Sequence, residues 1–122
     1  MLDKILDGKM VIHKALDAAW TRNEVIAQNI ANVDIPGYKR KTVSFEERLR
    51  EAMENKGFKK SDVDKIDIKV VEENKNLSQR LDGNNVDIDA EMAALAENAI
   101  QYNALIQLAG YNKLKMVIKE GK

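Results

Sequence analysis

Apolar positions in the first third of the chain follow one alternating three-and-four spacing. Leu2, Ile5, Ile12, Leu16, Ala19, Ile26, Ile30 and Val33 fall on it, with Lys9 and Asn23 as its polar members. That spacing is a heptad seam on one face of a helix. Gly8 weakens the start, so the spacing predicts a well-formed helix over residues 9–32 with a looser leader before it. Asp34, Ile35, Pro36 and Gly37 end the helix, because proline drives its predecessor out of the helical region and glycine supplies a turn. The pattern returns near the other end. Met92, Leu95, Ala99, Tyr102, Ile106, Ala109 and Met116 form a second seam from residue 89 onward, with Lys113 as its polar member. Asp87, Asp89 and Glu91 suit the start of that helix, Lys113, Lys115 and Lys119 its end, and Gly121 its termination.

Between the seams the periodicity is short. Ser44 followed by Glu47 reads as a capping box, and Phe45, Leu49, Ala52 and Met53 then form a brief amphipathic helix before Gly57. Ile66, Ile68 and Val70 alternate with charged neighbours, as in a strand with one buried face. Its expected hairpin partner is residues 81–88, bent around Asp82, Gly83, Asn84 and Asn85. The predicted fold is mainly α: two long terminal helices forming a coiled-coil-like pair, with a small middle segment holding a short helix and a β-hairpin. The divisions are residues 1–42, 43–85 and 86–122, with the middle projecting as a lobe. Two paired helices cover only part of their apolar surface, so the remainder should seek other copies.

Composition sharpens this picture. A chain of 122 residues forms one domain with a limited core, and 5% aromatic against 33% charged residues suits solvent-facing helices. Twenty basic and twenty acidic residues cancel, so no net field draws the chain to nucleic acid or an anionic membrane. Cysteine is absent, which removes disulfides, thiolate metal sites and cysteine nucleophiles and suits passage between redox compartments. No apolar run forms a signal or a membrane span, so any export must use a route other than a cleaved signal peptide.

Isolated residues carry little chemistry. His13 is the single histidine, without a nucleophile or carboxylate framework, and reads as a surface or interface residue. Trp20 flanks the seam as either a packing residue or an intersubunit anchor. Asn23 either fixes the register of helix pairing or faces solvent where the seam drifts. Asn29 and Asn32 flank the turn, where amides bond free carbonyls or tolerate unusual backbone angles. Asp87, Asp89 and Glu91 lack calcium-loop spacing. Lys39, Arg40 and Lys41 form a solvated loop or touch acidic partner surfaces or lipid headgroups near the inner membrane. Gly110 either marks a close helix approach or is a tolerated cost. No nucleophile–base pair, phosphate loop or ligand cluster suggests an enzyme or a small-molecule substrate.

The stretch Asn29, Ile30, Ala31, Asn32, Val33, Asp34, Ile35, Pro36, Gly37, Tyr38, Lys39 resembles the N-terminal signature of flagellar basal-body rod and hook proteins. Gly83 to Asp87, Glu91, Met92, Glu97, Asn98 and Tyr102 are similar to the short proximal rod members of that family. The likeness spans residues 9–42 and 83–118. Ile35 stands where the family usually has threonine, which removes a hydroxyl able to bond the turn backbone. The resemblance implies a structural subunit, exported unfolded, that assembles into the rod in the periplasmic space. It also implies contacts with other rod proteins, a membrane-ring adaptor and the export gate, self-association through the terminal helices to transmit torque, and no cofactor. A cytoplasmic helical adaptor or export chaperone would share the amphipathic helices but remain inside the cell.

Overall fold

A computed structural model describes residues 2–73 and 81–120, with side chains from residue 10 onward apart from residues 60, 61, 116 and 120. Helix α1 spans Leu2–Ala31 and helix α3 spans Ile88–Glu120. At 1.5 Å per residue they are about 45 and 50 Å long. Between them lie β1 (Lys41–Val43), α2 (Phe45–Glu54), a 3-10 helix (Lys60–Lys65) and β2 (Val70–Glu72). Helix α1 takes in the segment expected to be a looser leader, running through Gly8 without a break.

The long helices lie side by side and antiparallel. Asn29 meets Glu91, Ala19 meets Asn98, and the Trp20 and Tyr102 rings stand 6.4 Å apart. As numbering falls along α1 it rises along α3. Ile12, Ala18, Ala19, Val25 and Ile26 form the buried face of α1. Ala18 and Ala19 leave room for close approach.

A second, small core ties the middle segment to α1. Phe45, buried at the start of α2, meets Ala18 and Ile66, with Ala15, Val43, Leu49, Ala52, Phe58 and Ile68 around them. Glu46 and Glu47 occupy the first turn of α2 and favour its positive end. Ser44 precedes the helix as expected, but its hydroxyl caps no amide. Its backbone amide donates to the Lys69 carbonyl at 3.0 Å instead, which couples α2 to the segment before β2. The reciprocal bond expected at Ser44 has a counterpart at the 3-10 helix. There the Lys59 amide donates to Asp62 Oδ2 at 2.8 Å and holds that carboxyl below the ordinary carboxylate range.

The sheet differs from the expected hairpin. β2 pairs antiparallel with β1, with Lys41 opposite Glu72, Thr42 opposite Val71 and Val43 opposite Val70. Residues 81–87 form no strand. The alternation also slips: Ile66 is buried and Ile68 half-buried, yet Val70 is exposed and Val71 half-buried. An odd spacing between inward residues moves the inner face by one position. With β2 paired to one edge of β1, the other edge at Lys41 faces α1, and the polar turn at 82–85 is left for another task.

The small core makes a direct expectation. Phe45→Ala lowers stability by about 3–5 kcal/mol, whereas Met53→Ala, on the exposed side of the same helix, stays within about 0.5 kcal/mol. Urea unfolding followed by helical circular dichroism measures both.

Candidate assembly site at the helix junction

The last turn of α1, the loop after it and the first turn of α3 meet in a buried polar junction. Asn29 is fully buried. Its Oδ1 accepts the Lys41 amide at 2.9 Å, and its Nδ2 donates to the Lys41 carbonyl at 2.9 Å. The carboxamide thus pairs with the free edge of β1 as a neighbouring strand would, satisfying groups an edge strand leaves open. Tyr38 Oη also donates to Asn29 Oδ1 at 3.2 Å, and Asn29 Nδ2 reaches Glu91 Oε2 at 3.3 Å.

Glu91 is the least expected member. Its side chain is 0% exposed, and Arg40 Nε donates to Glu91 Oε1 at 2.6 Å. Arg40 also pairs through Nη1 with Glu73, its amide donates to Asn85 Oδ1 at 2.7 Å, and its carbonyl accepts the Glu73 amide at 2.9 Å. Arg40 is therefore no solvated loop residue; one guanidinium is shared by two carboxylates from different parts of the chain. Glu91 does more than favour the helix start. Asp87 takes that role, with Oδ1 accepting the amides of Asp89 and Ala90 at 3.0 and 3.3 Å.

A second amide closes the junction. Asn84 is fully buried, and its Nδ2 donates to the carbonyls of Asn32, Val33 and Ile35 at 2.9, 3.0 and 2.8 Å. These lie at and just beyond the end of α1, where helix carbonyls lose their internal partners. Asn84 Oδ1 accepts the Val86 amide at 2.8 Å. Asn32 adds a local bond, donating to the Gln28 carbonyl at 2.8 Å. Ile35, Pro36, Gly37 and Tyr38 form a turn closed by the Tyr38 amide on the Ile35 carbonyl at 3.2 Å, with Gly37 at φ +78°. Proline before a left-handed glycine is the requirement of a type II turn. The Gly37 amide donates to the Asp82 carbonyl at 2.7 Å, so the turn after α1 and the turn before α3 are joined directly.

The expected residues divide between this junction and the helix surfaces. Asn29, Asn32, Gly37 and Tyr38 belong to the junction; Ile30 is half-buried beside it, and Ala31 and Pro36 are exposed. Ile12, Ala19 and Ile26 are buried, and Leu16, Leu95 and Tyr102 half-buried. Asn23 is exposed, as is His13. Met92, Ala99 and Ile106 lie on the outer side of α3 rather than in the helix contact, with Met92 53% and Ile106 46% exposed. Gly110 faces open space, not a neighbouring helix. Asn84, Asn85, Glu73, Glu91 and Arg40 carry the junction although periodicity singles out none of them. The available signal was that residues 29–39 and 83–91 each carry the family likeness, and these two stretches meet here.

Beyond the junction, α3 turns an apolar surface to solvent that includes Ile100, Leu108, Tyr111, Leu114 and Ile118. Glu97 is the one exposed charge between residues 90 and 112. Clefts beside α2 are open and lined by charged side chains such as Glu47, Arg48 and Glu51. Among the described residues, no cluster of histidine or acidic side chains is arranged to hold a metal, and no helix is long and apolar enough to cross a membrane.

The junction responds to substitution in a chemically specific way. Arg40→Ala leaves Glu91 buried without its cation and costs about 3 kcal/mol, while adding Glu91→Leu recovers much of that loss. Thermal melts of both single variants and the double variant give the coupling. Asn84→Asp is nearly isosteric but sets a carboxylate against three carbonyl oxygens. It destabilises more than Asn84→Ala, which loses the side-chain bonds to the loop backbone and costs about 1–3 kcal/mol.

No family model matches the chain. It is, however, 37% identical over 119 residues to the flagellar basal body rod protein FlgB of Bacillus subtilis, covering 91% of this chain and 92% of that protein. The FlgB of Borreliella burgdorferi is 32% identical over 124 residues, covering 88% and 92%. That of Escherichia coli is 32% identical over 138 aligned positions, covering 99% of each. With this identity sustained over nearly the whole length in distant bacteria, the chain belongs to the FlgB family of flagellar basal body rod proteins.

Proposed function

We propose that the chain is a non-catalytic structural subunit of the proximal rod, built into it through its terminal helices. The observation that carries this reading is the outer surface of α3. Ile100 is 72% exposed and Tyr111 62%, on a stretch from residue 90 to 112 whose one exposed charge is Glu97. A helix that is apolar around most of its circumference is a helix meant for burial. α1 covers one side only, so neighbouring subunits cover the rest, extending the two helices into a larger coiled-coil array.

Within that array the subunit meets copies of itself and other rod proteins, and at the base the membrane-ring adaptor and the export gate. It reaches the periplasmic rod unfolded through the flagellar export apparatus. Lack of cysteine suits that route, and a small core suits unfolding before passage. The polar junction supplies the rigid link between α1 and α3 that torque transfer requires. Motif residues Asn29, Asn32, Pro36, Gly37 and Tyr38 act by holding the helix pair in shape, and the apolar side chains of α3 act by contacting neighbours.

Ile106→Lys combined with Tyr111→Lys tests the reading, because both side chains are exposed in the free chain. The doubly substituted protein is expected to melt within a few degrees of the parent, yet to be missing from isolated basal bodies and to leave cells non-motile. Normal motility and normal incorporation would overturn the proposal. Retention of the unsubstituted protein in the cytoplasm of cells with a working export apparatus would favour an adaptor instead.

A further inference from the structure

The helix pair leaves two faces uncovered, and they differ in shape. The first is a groove along one flank, where the Trp20 ring of α1 and the Tyr102 ring of α3 stand 6.4 Å apart. Because the helices run antiparallel, Leu16 lies level with Ile106 and Asn23 level with Ala99. Leu16 and Tyr102 are half-buried, whereas Trp20 is 58% and Ile106 46% exposed, so the floor is covered and the walls meet solvent. The middle segment covers the other flank. Ala18 packs against Phe45, and two residues on, at about 100° each, Trp20 falls on the opposite side of α1. All six groove residues are uncharged, yet the rim on α1 is acidic. Asp17 and Glu24, both exposed, lie three residues before and four after Trp20, which makes them its neighbours on the helix surface.

The second face is a ridge. Ile100, Ala104, Gln107, Tyr111, Leu114 and Ile118 alternate at spacings of four and three along α3, and all six are exposed. They form a heptad seam of their own on the side of α3 turned away from α1, and such a seam is a surface for another helix. No acidic residue falls between positions 98 and 119. Lys113 and Lys115, both exposed, stand on either side of Leu114. They precede the last turn of α3, so the helix dipole does not account for them. An apolar seam with a basic border fits an apolar groove with an acidic border, and the groove beside Trp20 has that character.

We infer that the ridge of one copy docks in the groove of a second copy, with Trp20 as the buried anchor and the lysines of the ridge facing Asp17 and Glu24. A large aromatic side chain at the centre of a contact is the usual carrier of its affinity. Groove and ridge lie on different sides of the same chain, so a copy that fills its neighbour's groove still offers its own. The contact is therefore heterologous and propagates, whereas a two-fold contact would close after two copies. It gives the self-association proposed above a specific site, and in that respect rests on that reading.

The absence of cysteine lets single thiols report the contact in the full-length chain. Asn23→Cys marks the groove and Gln107→Cys the ridge, both at exposed polar positions where substitution leaves the fold unchanged. A short bismaleimide is expected to join the two variants, mixed in equal amounts, several-fold more than it joins either variant to itself. Adding Asp17→Lys and Glu24→Lys to the groove variant lowers the yield about threefold, because exposed ion pairs are individually weak. Lys113→Glu with Lys115→Glu in the ridge variant then restores it. No link in the mixture overturns the inference, as does a link in the Asn23→Cys variant alone, which reports a two-fold contact, or a ridge reversal that fails to restore the yield. Where the link is missing, normal incorporation of the parent into basal bodies leaves the rod reading standing. A charge-reversed groove variant that loses the link but enters basal bodies normally upholds the contact between free copies and removes it from the rod.

Discussion

A carboxylate removed from solvent must find its cation and its donors close at hand, and Glu91 imposes that demand on the whole chain. Arg40 answers it from the loop after α1, and Asn29 from the last turn of α1 itself. Arg40 reaches Glu91 only if the chain turns back immediately beyond the helix, which the left-handed Gly37 permits. Asn29 can serve only if its carboxamide is already aligned on the Lys41 backbone. The start of one long helix, the end of the other and the edge of the sheet are thereby placed by a few charge-assisted bonds. Such bonds are directional, so they define an angle between helices more sharply than apolar contact does.

Stability and shape are divided between different materials in this molecule. The apolar core around Phe45 is small and sits between α1 and the middle segment. The polar junction contributes geometry more than net free energy, because the cost of dehydrating Glu91 and Arg40 offsets much of their attraction. Much of the apolar surface of α3 contributes nothing in the isolated chain, since it is still in contact with water. In the proposed rod assembly, neighbours covering that surface would add stability by mass action.

The long helices and α2 were legible because their apolar residues repeat at helical spacing and because Pro36 and Gly37 punctuate the first seam. The second seam was legible in part: Leu95, Tyr102 and Ala109 are half-buried, whereas Met92, Ala99 and Ile106 face outward and Glu91 and Asn98, which the spacing does not select, are buried. The partner of β2 was hidden by the slip between Ile68 and Val71, and no local pattern reports that Lys41 lies opposite Glu72. Arg40 looked like one member of a basic run, because a bond that crosses fifty residues leaves no trace in spacing. The motif residues were recognisable as a unit, yet the use of the Asn29 side chain as a strand surrogate emerges only in three dimensions.

The pairing of β1 with β2 has a topological consequence. The chain departs from the helix pair at Lys41 and returns opposite it at Glu72, so everything between these residues is a loop whose two ends are pinned together. Such a loop behaves as a replaceable cassette. It can be lengthened, shortened or exchanged without altering the path of the chain into or out of the helix pair, provided that the surface of α1 around Ala18 remains covered. Diversity in outer shape can therefore accumulate in one place while the inner scaffold keeps its dimensions.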